Sequence, residues 1–154
     1  MQITYLEEFQ ILLQALVAVA LGGILGFERE TAGKFAGFRT YVFVCLAAML
    51  FVRLGLALIG DAATRFPMGT LRADPTRTIE ALAVGISFIG ACAIFRDRTG
   101  TGMHGLTTAA GLLAAATIGV AVAINRYIVA CGITLIGLVV LRTFAYLERR
   151  LKLK

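Results

Sequence analysis

Residues 74–110 read DPTRTIEALAVGISFIGACAIFRDRTGTGMHGLTTAA, and this stretch decides how the rest of the chain is interpreted. The Asp-Pro pair at its start ends the preceding segment, and a threonine that follows can begin a new helix. From Ile79 to Phe95 the only carboxylate is Glu80, and the other residues are apolar or small. The spacing of the small residues predicts a transmembrane helix that packs closely against neighbouring helices.

The composition of the whole chain is typical of a membrane protein. Of its 154 residues 59% are hydrophobic and 16% are charged, against roughly 25% charged in an average soluble domain. We predict a single all-α domain over residues 1–154, an integral membrane bundle of about five transmembrane helices. The net charge of +6 does not indicate nucleic-acid binding, because the basic residues flank apolar segments and no basic-aromatic recognition element is present.

Five apolar segments are long enough to cross a hydrocarbon core of about 30 Å. They are Phe9–Phe27, Thr40–Ile59, Thr78–Phe95, Leu106–Ile124 and Tyr127–Leu147. With the N-terminus outside, ten Lys and Arg residues lie on the inner side and four on the outer side, so the positive-inside rule predicts a cytoplasmic C-terminus. Acidic residues precede the first segment, which is not typical of a signal peptide, and we expect that segment to be retained as a span.

Small residues at helical spacing indicate where the helices approach one another. In the first segment they end in the pair Gly22 and Gly26, which lets another helix come close to the backbone. Two interpretations stay open: the pair packs against a helix of the same chain, or it forms the seam of a homodimer. On the third segment, Gly85 and Gly90 are predicted to serve close packing as well.

Two charged residues lie within apolar segments. Arg53 is inside the second segment, where a charge is unfavourable by at least about 2.5 kcal/mol. Its side chain can extend to the membrane surface, or it can pair with Glu80 near the outer end of the third segment. Both interpretations stay open.

The third and fourth segments each carry a mildly polar face. On the third, Glu80, Ser87 and small residues share one side of the helix, and on the fourth a pair of threonines opens the segment. Such faces either line a narrow polar path or pack against other helices. The residues predicted for a functional site or ion path are Asp74, Arg77, Glu80, Ser87, Thr107 and Thr108.

The chain offers little material for catalysis. It contains no HExxH, Walker A, GxSxG or GxGxxG motif, and its three cysteines all lie in apolar segments. We therefore expect neither an enzyme nor a bound cofactor. Mg²⁺ typically takes one or two carboxylates and keeps several waters, so it is a candidate ligand. In the alternative of a magnesium or proton transporter, Asp74, Glu80 and the small polar faces of the third and fourth segments would form the path.

Three stretches resemble the MgtC/SapB family of membrane proteins in order and spacing, and together they cover most of the chain. They are LGGILGFERETAGKFAGFRT (residues 21–40), DPTRTIEALAVGISFIGACAI (74–94) and HGLTTAAGLLAAATIGVAVA (104–123). The positions that match the family's motifs are Gly22, Gly26, Glu28, Arg29, Lys34, Gly37, Arg39, Thr40, Asp74, Pro75, Arg77, Gly85, Phe88, Gly90, Gly105, Leu106, Thr107 and Thr108.

The resemblance implies a multi-pass protein of the bacterial inner membrane linked to magnesium limitation, acid stress or growth inside host cells. It implies either a regulatory protein, including one that modulates proton-coupled ATP synthesis, or a transporter or channel for magnesium or protons. The bilayer, a second copy of the chain (a dimer is favoured) and another membrane protein are the expected partners. The cytoplasmic loop motif consists of Glu28, Arg29, Lys34, Arg39 and Thr40, which form either a solvated turn or a specific network.

The chain departs from the family's pattern in three respects. Ser87 and Cys92 stand where glycines are usual, and Leu113 stands where tryptophan is usual. Many members carry a soluble C-terminal domain, whereas this sequence stops soon after the fifth segment. We therefore expect it to belong with the short forms that lack this domain.

Overall fold

The computed structural model describes residues 5–65, 74–96 and 103–151. Over these residues the backbone is almost entirely helical, and its one other regular element is a pair of two-residue strands, β1 and β2. In chain order the elements are α1 Tyr5–Thr31, α2 Phe38–Arg65, α3 Thr76–Ala93, β1 Phe95–Arg96, β2 Met103–His104, α4 Leu106–Ala123 and α5 Tyr127–Leu151.

This architecture confirms the predicted all-α bundle of five helices. Within the described residues, four helical segments are long and apolar enough to cross a membrane: Tyr5–Thr31, Phe38–Asp61, Thr76–Ala93 and Leu106–Ala123. In α5, the stretch whose side chains the structure describes without a gap, Tyr127–Thr143, is apolar as well. The third segment ends earlier than predicted, because Ile94 adopts an extended conformation and Phe95 pairs with His104 in the antiparallel β1–β2 ladder.

The connection between α1 and α2 is a tight turn held by backbone and side-chain hydrogen bonds. Gly33 has a left-handed φ of +66°, and the N–H of Lys34 donates to the carbonyl oxygen of Arg29, which is the Schellman pattern of a helix end. The carboxylate of Glu30 then accepts a hydrogen bond of 2.8 Å from the N–H of Phe38 and thereby caps α2. The two helices are therefore joined in a fixed antiparallel arrangement.

Helix α2 is the centre of the bundle, because it packs against both α1 and α4 through glycines on those helices. A Cβ atom added to Gly22 would lie 2.7 Å from the Cβ of Cys45, and one added to Gly26 would lie 2.8 Å from the Cα of Phe38. On α4, Gly119 lies directly against the backbone carbonyl of Cys45. The pair Gly22 and Gly26 thus packs within the chain, and the alternative of a homodimer seam at this pair is wrong.

Helix α3 lies at the edge of the bundle. It contacts α4 where Gly90 meets Ala109, but few of its residues are buried. Between α3 and α2 runs an apolar groove of about 640 Å³. Gly85 lines this groove, and an added Cβ would meet nothing within 4 Å, so the prediction of close packing at Gly85 is wrong in this chain.

Candidate functional site

A charged pair is buried where α1 ends. Glu28 and Arg29 are only 6% and 3% exposed, and the Nε of Arg29 donates to the Oε2 of Glu28 at 2.5 Å. The cation also lies in the last turn of α1, where the helix dipole favours positive charge. Two adjacent charges that are withdrawn from solvent in this way must remain paired, because either one alone would be strongly destabilising.

Tyr41 connects this charged pair to helix α4. Its side chain is fully buried, and both charges lie close enough to act on its hydroxyl electrostatically. The hydroxyl donates a long hydrogen bond of 3.4 Å to the carbonyl oxygen of Thr108, and it fits only because the facing residue on α4 is Gly111. We call Glu28, Arg29, Tyr41 and Thr108 the buried polar cluster.

The remaining members of the predicted loop motif do not join the cluster. Lys34 and Arg39 are exposed, whereas Thr40 is half-buried and lines the groove between α2 and α3. The loop motif therefore divides into a buried pair, which belongs to the helix interface, and exposed basic residues around the turn. Neither a solvated turn nor a specific network therefore describes the whole loop motif.

A second polar contact lies at the other end of α4. Gln14 of α1 is 3% exposed, and its amide nitrogen donates to the carbonyl oxygen of Val122 at 3.1 Å and to the Oδ1 of Asn125 at 2.8 Å. Asn125 has a left-handed φ of 60° and ends α4, and the hydroxyl of Tyr127 donates to the same oxygen at 3.0 Å. Gln14 thus ties α1 to the end of α4.

The predicted polar residues at the start of α3 are all exposed. Asp74 accepts hydrogen bonds from the hydroxyl of Thr76 at 2.7 Å and from its N–H at 2.9 Å. These bonds, the hydroxyl's first, and to a lesser degree the charge of Arg77, hold the pKa of Asp74 below its usual value. Glu80 is also exposed, so the three charged residues form an open surface rather than the mouth of an enclosed path.

The polar faces predicted on α3 and α4 do not meet within one chain. The hydroxyl of Ser87 donates to the carbonyl oxygen of Ala83 in its own helix at 2.7 Å, and the residue is exposed. Thr108 is buried on the side of α4 that faces Tyr41, whereas Thr107 is exposed. These residues therefore do not line a common path in the monomer.

The alternative pairing of Arg53 with Glu80 is not formed. Gly55 of α2 faces Thr78 of α3, and residues two positions away on either helix point to other sides. Arg53 instead lines a cavity of about 320 Å³ together with Glu7 of α1. Its Nε atom is buried, and none of the residues that the structure describes forms a hydrogen bond with it.

The described residues offer no assembled metal site. No group of three or more His, Cys, Asp or Glu side chains comes together in residues 5–65, 74–96 and 103–151. His104 stacks on Phe95, with ring centroids 5.6 Å apart, and Phe95 in turn meets Phe35 of the turn between α1 and α2. The one histidine therefore takes part in an aromatic contact between the two loops.

The prediction from sequence missed Tyr41 and the contact of Gln14 with Asn125. The sequence contains an indication of both contacts. A tyrosine hydroxyl or a glutamine amide within an apolar segment needs a hydrogen-bond partner, which in a membrane bundle must come from a neighbouring helix. Asn125 also follows directly after an apolar segment, where asparagine is a common left-handed helix end.

The fold and the buried contacts define a class of protein, a bundle of apolar helices in which interior polar groups such as Tyr41 and Gln14 connect one helix to another. A family model described as the MgtC family matches residues 15–150. The chain therefore belongs to the MgtC family, as the three motif stretches indicate, and it is a membrane protein.

Relatives with names are similar over most of the chain. Protein SrpB of Synechococcus elongatus is 31% identical over 80% of this chain and 65% of its own length. Protein MgtC of Brucella abortus is 37% identical over 67% of this chain and 38% of its own length. A protein of Escherichia coli named "Putative magnesium transporter YhiD" is 34% identical over 88% of this chain and 60% of its own length. The chain spans less than two thirds of the length of each of these relatives. No solved structure matches it.

Proposed function

We propose that this protein acts by binding other proteins within the membrane, as a regulator in magnesium homeostasis and in the response to acid or intracellular stress. The name of the Escherichia coli relative supports the link to magnesium. Regulation of proton-coupled ATP synthesis is one form that this role can take. The proposal assigns no catalytic residue and no cofactor.

The position of the polar side chains carries the proposal. Inside the bundle, Tyr41 and Gln14 form hydrogen bonds from one helix to another, so these two side chains help to hold the fold together. The polar residues of α3, which include Glu80 and Ser87, are exposed on the outside of the bundle. An outward polar face on a membrane helix is typical of a surface that contacts another protein.

A transporter or channel for magnesium or protons is the second candidate. The name of the Escherichia coli relative favours it, and so does the exposed pair of carboxylates Asp74 and Glu80 at the start of α3. In that function the path would run between copies of the chain or beside a partner, because Ser87 and Thr108 do not face each other in the monomer.

For the cellular setting, we propose a multi-pass protein of the bacterial inner membrane with its N-terminus outside. The charge distribution supports this orientation, since basic residues such as Lys34 and Arg39 surround the turn between α1 and α2. In this orientation the start of α3 lies on the outer side.

Ion flux in proteoliposomes separates the two functions. With the purified protein reconstituted, we expect no Mg²⁺ or proton movement above that of empty liposomes at any gradient or pH. The matched control is the Glu80→Gln variant, which removes the charge from the exposed face. Flux through the wild-type protein that is lost in Glu80→Gln would contradict the regulatory proposal and establish the transporter.

A further inference from the structure

The groove between α2 and α3 is apolar along almost its whole length. Of the twelve residues that line its volume of about 640 Å³, only Thr40 and Thr78 carry a polar side-chain group. Gly85 leaves part of this space open, since a Cβ added there would meet nothing within 4 Å. The hydrocarbon core of a bilayer holds no water that could fill such a groove. Apolar groups from outside the described residues must therefore occupy it.

The groove is about half as long as the hydrocarbon core is thick. On α2 its lining runs from Thr40 to Phe51, which is about 17 Å of helix. It closes beyond Phe51, where a Cβ added to Gly55 would lie 3.0 Å from the hydroxyl oxygen of Thr78. Each leaflet contributes about 15 Å to a core of about 30 Å. The groove thus matches an acyl chain of one leaflet, whereas a membrane-spanning helix lying in it would meet the closed end.

Basic residues surround the open end of the groove at Thr40. Arg39 precedes Thr40 on α2 and lies one turn before Phe43, which lines the groove. Arg39 and Lys34 are both exposed, and within the described residues neither forms an ion pair. The nearby carboxylate of Glu30 is engaged in capping α2. This end therefore carries a net positive charge, which the phosphate of a lipid headgroup complements.

The closed end of the groove has the opposite balance of charge. Arg77 precedes Thr78 there, but Asp74 and Glu80 lie beside it at the start of α3, and all three charged residues are exposed. Two carboxylates against one guanidinium disfavour an anionic headgroup. The charges thus give a bound lipid one direction, with its headgroup at the turn between α1 and α2.

We propose that the groove binds one acyl chain of an anionic phospholipid, whose phosphate is held by Arg39 and Lys34 next to Thr40. The chain lies over Gly85 and ends near the contact between Gly55 and Thr78. The second acyl chain of the lipid remains in the bilayer. This binding site is separate from the polar face of α3, and it does not depend on whether the protein regulates or transports.

Tryptophan fluorescence tests the site, because the chain contains no tryptophan of its own. Phe51→Trp places a reporter in the groove, and Phe88→Trp places one on α3 outside it, at a position that is 73% exposed. Each variant is reconstituted in phosphatidylcholine bilayers that contain brominated phosphatidylglycerol or brominated phosphatidylcholine. Bromine quenches tryptophan at short range, so quenching against the brominated fraction gives the affinity of the anionic lipid relative to the zwitterionic one.

We expect Phe51→Trp to report a preference of about fivefold for the anionic lipid, the amount that one basic residue near a membrane surface contributes. Phe88→Trp should report no preference. Equal quenching by the two lipids at Phe51→Trp would reduce the groove to ordinary bilayer contact and overturn the proposal. Weaker quenching by both lipids there than at Phe88→Trp would show that protein fills the groove, which overturns it as well.

Two arginine variants in the Phe51→Trp background test the direction of the lipid. Arg39→Gln should bring the preference close to one, whereas Arg77→Gln, at the other end of the groove, should leave it unchanged. Loss of the preference in Arg77→Gln but not in Arg39→Gln would place the headgroup at the closed end and contradict the assigned site.

Two leucine variants in the same background test the groove itself. Gly85→Leu fills the groove and should remove the preference. Ala83→Leu enlarges an exposed residue of the same helix that does not line the groove, and it should keep the preference. A preference that survives Gly85→Leu would show that the lipid is bound elsewhere and overturn the proposal.

Discussion

Replacing Glu28 with alanine is expected to destabilise the folded protein by about 3–5 kcal/mol, because it leaves the guanidinium of Arg29 buried without its partner. Both residues are almost completely withdrawn from solvent, and the two charges interact with each other and with Tyr41. The cost would arise mainly from the uncompensated charge, since no large apolar side chain is removed. Reversible unfolding in mixed micelles, followed by circular dichroism, measures the change in the free energy of unfolding.

Two further variants separate this effect from a general loss of the loop. Glu30→Ala removes a neighbouring carboxylate that is exposed and caps α2, and it should cost only about 1 kcal/mol. The double change of Glu28 and Arg29 to leucine removes both buried charges and should recover most of the stability. A double variant as unstable as Glu28→Ala would show that the pair is not the source of the effect.

Gly119→Ala is expected to destabilise the protein by about 3 kcal/mol, the upper part of the range for overpacking a well-packed interior. The added methyl group would fall on the backbone carbonyl of Cys45, which cannot move aside as a side chain could. Helix α4 would have to separate from α2, and the hydrogen bond between Tyr41 and Thr108 would lengthen with it. The shift in the midpoint of thermal unfolding in detergent reports the loss.

Gly85→Ala and Gly132→Ala are the matched controls for this prediction. Both glycines are helical, and an added Cβ at either one meets nothing within 4 Å. Alanine should stabilise these helices slightly, by up to about 1 kcal/mol, because it reduces the freedom of the unfolded chain. If Gly119→Ala were as stable as these controls, α4 would not lie against α2 as described.

The bundle was predictable from the sequence because apolar segments of membrane-spanning length are direct evidence of helices in a bilayer. The glycine pair at Gly22 and Gly26 also indicated a close helix contact correctly. Which helix fills that contact was not predictable, since a glycine surface accepts a helix of the same chain as readily as one of another chain. Tertiary packing of α2 decides between them.

The candidate site was less predictable than the fold. Spacing places Glu80 and Ser87 on one face of α3, and the structure agrees that they share an exposed side. Whether that face meets Thr108 depends on how far α3 is rotated about its axis, and no pattern within α3 records that rotation. Similarly, Arg53 and Glu80 lie at comparable depths in the second and third apolar segments. Their side chains point in different directions, because α2 and α3 meet at Gly55 and Thr78.

The central claim is that no water-filled path joins the polar faces of α3 and α4, and the reactivity of introduced cysteines tests it most directly. Ser87→Cys and Thr108→Cys are placed in a chain whose exposed Cys92 and Cys131 are replaced by alanine, and the buried Cys45 is kept. A charged thiol reagent that does not cross membranes is added to both sides of the vesicles. Lys34→Cys, at an exposed position of the turn, provides the reactive control.

We predict that the cysteine at Lys34 reacts fully, while those at Ser87 and Thr108 react only after the protein is unfolded in SDS. Thr108 is buried against Tyr41, and Ser87 faces acyl chains or another protein, so a charged reagent reaches neither. Rapid labelling of both positions in intact membranes would contradict the account, because it would place the two faces on a shared aqueous path.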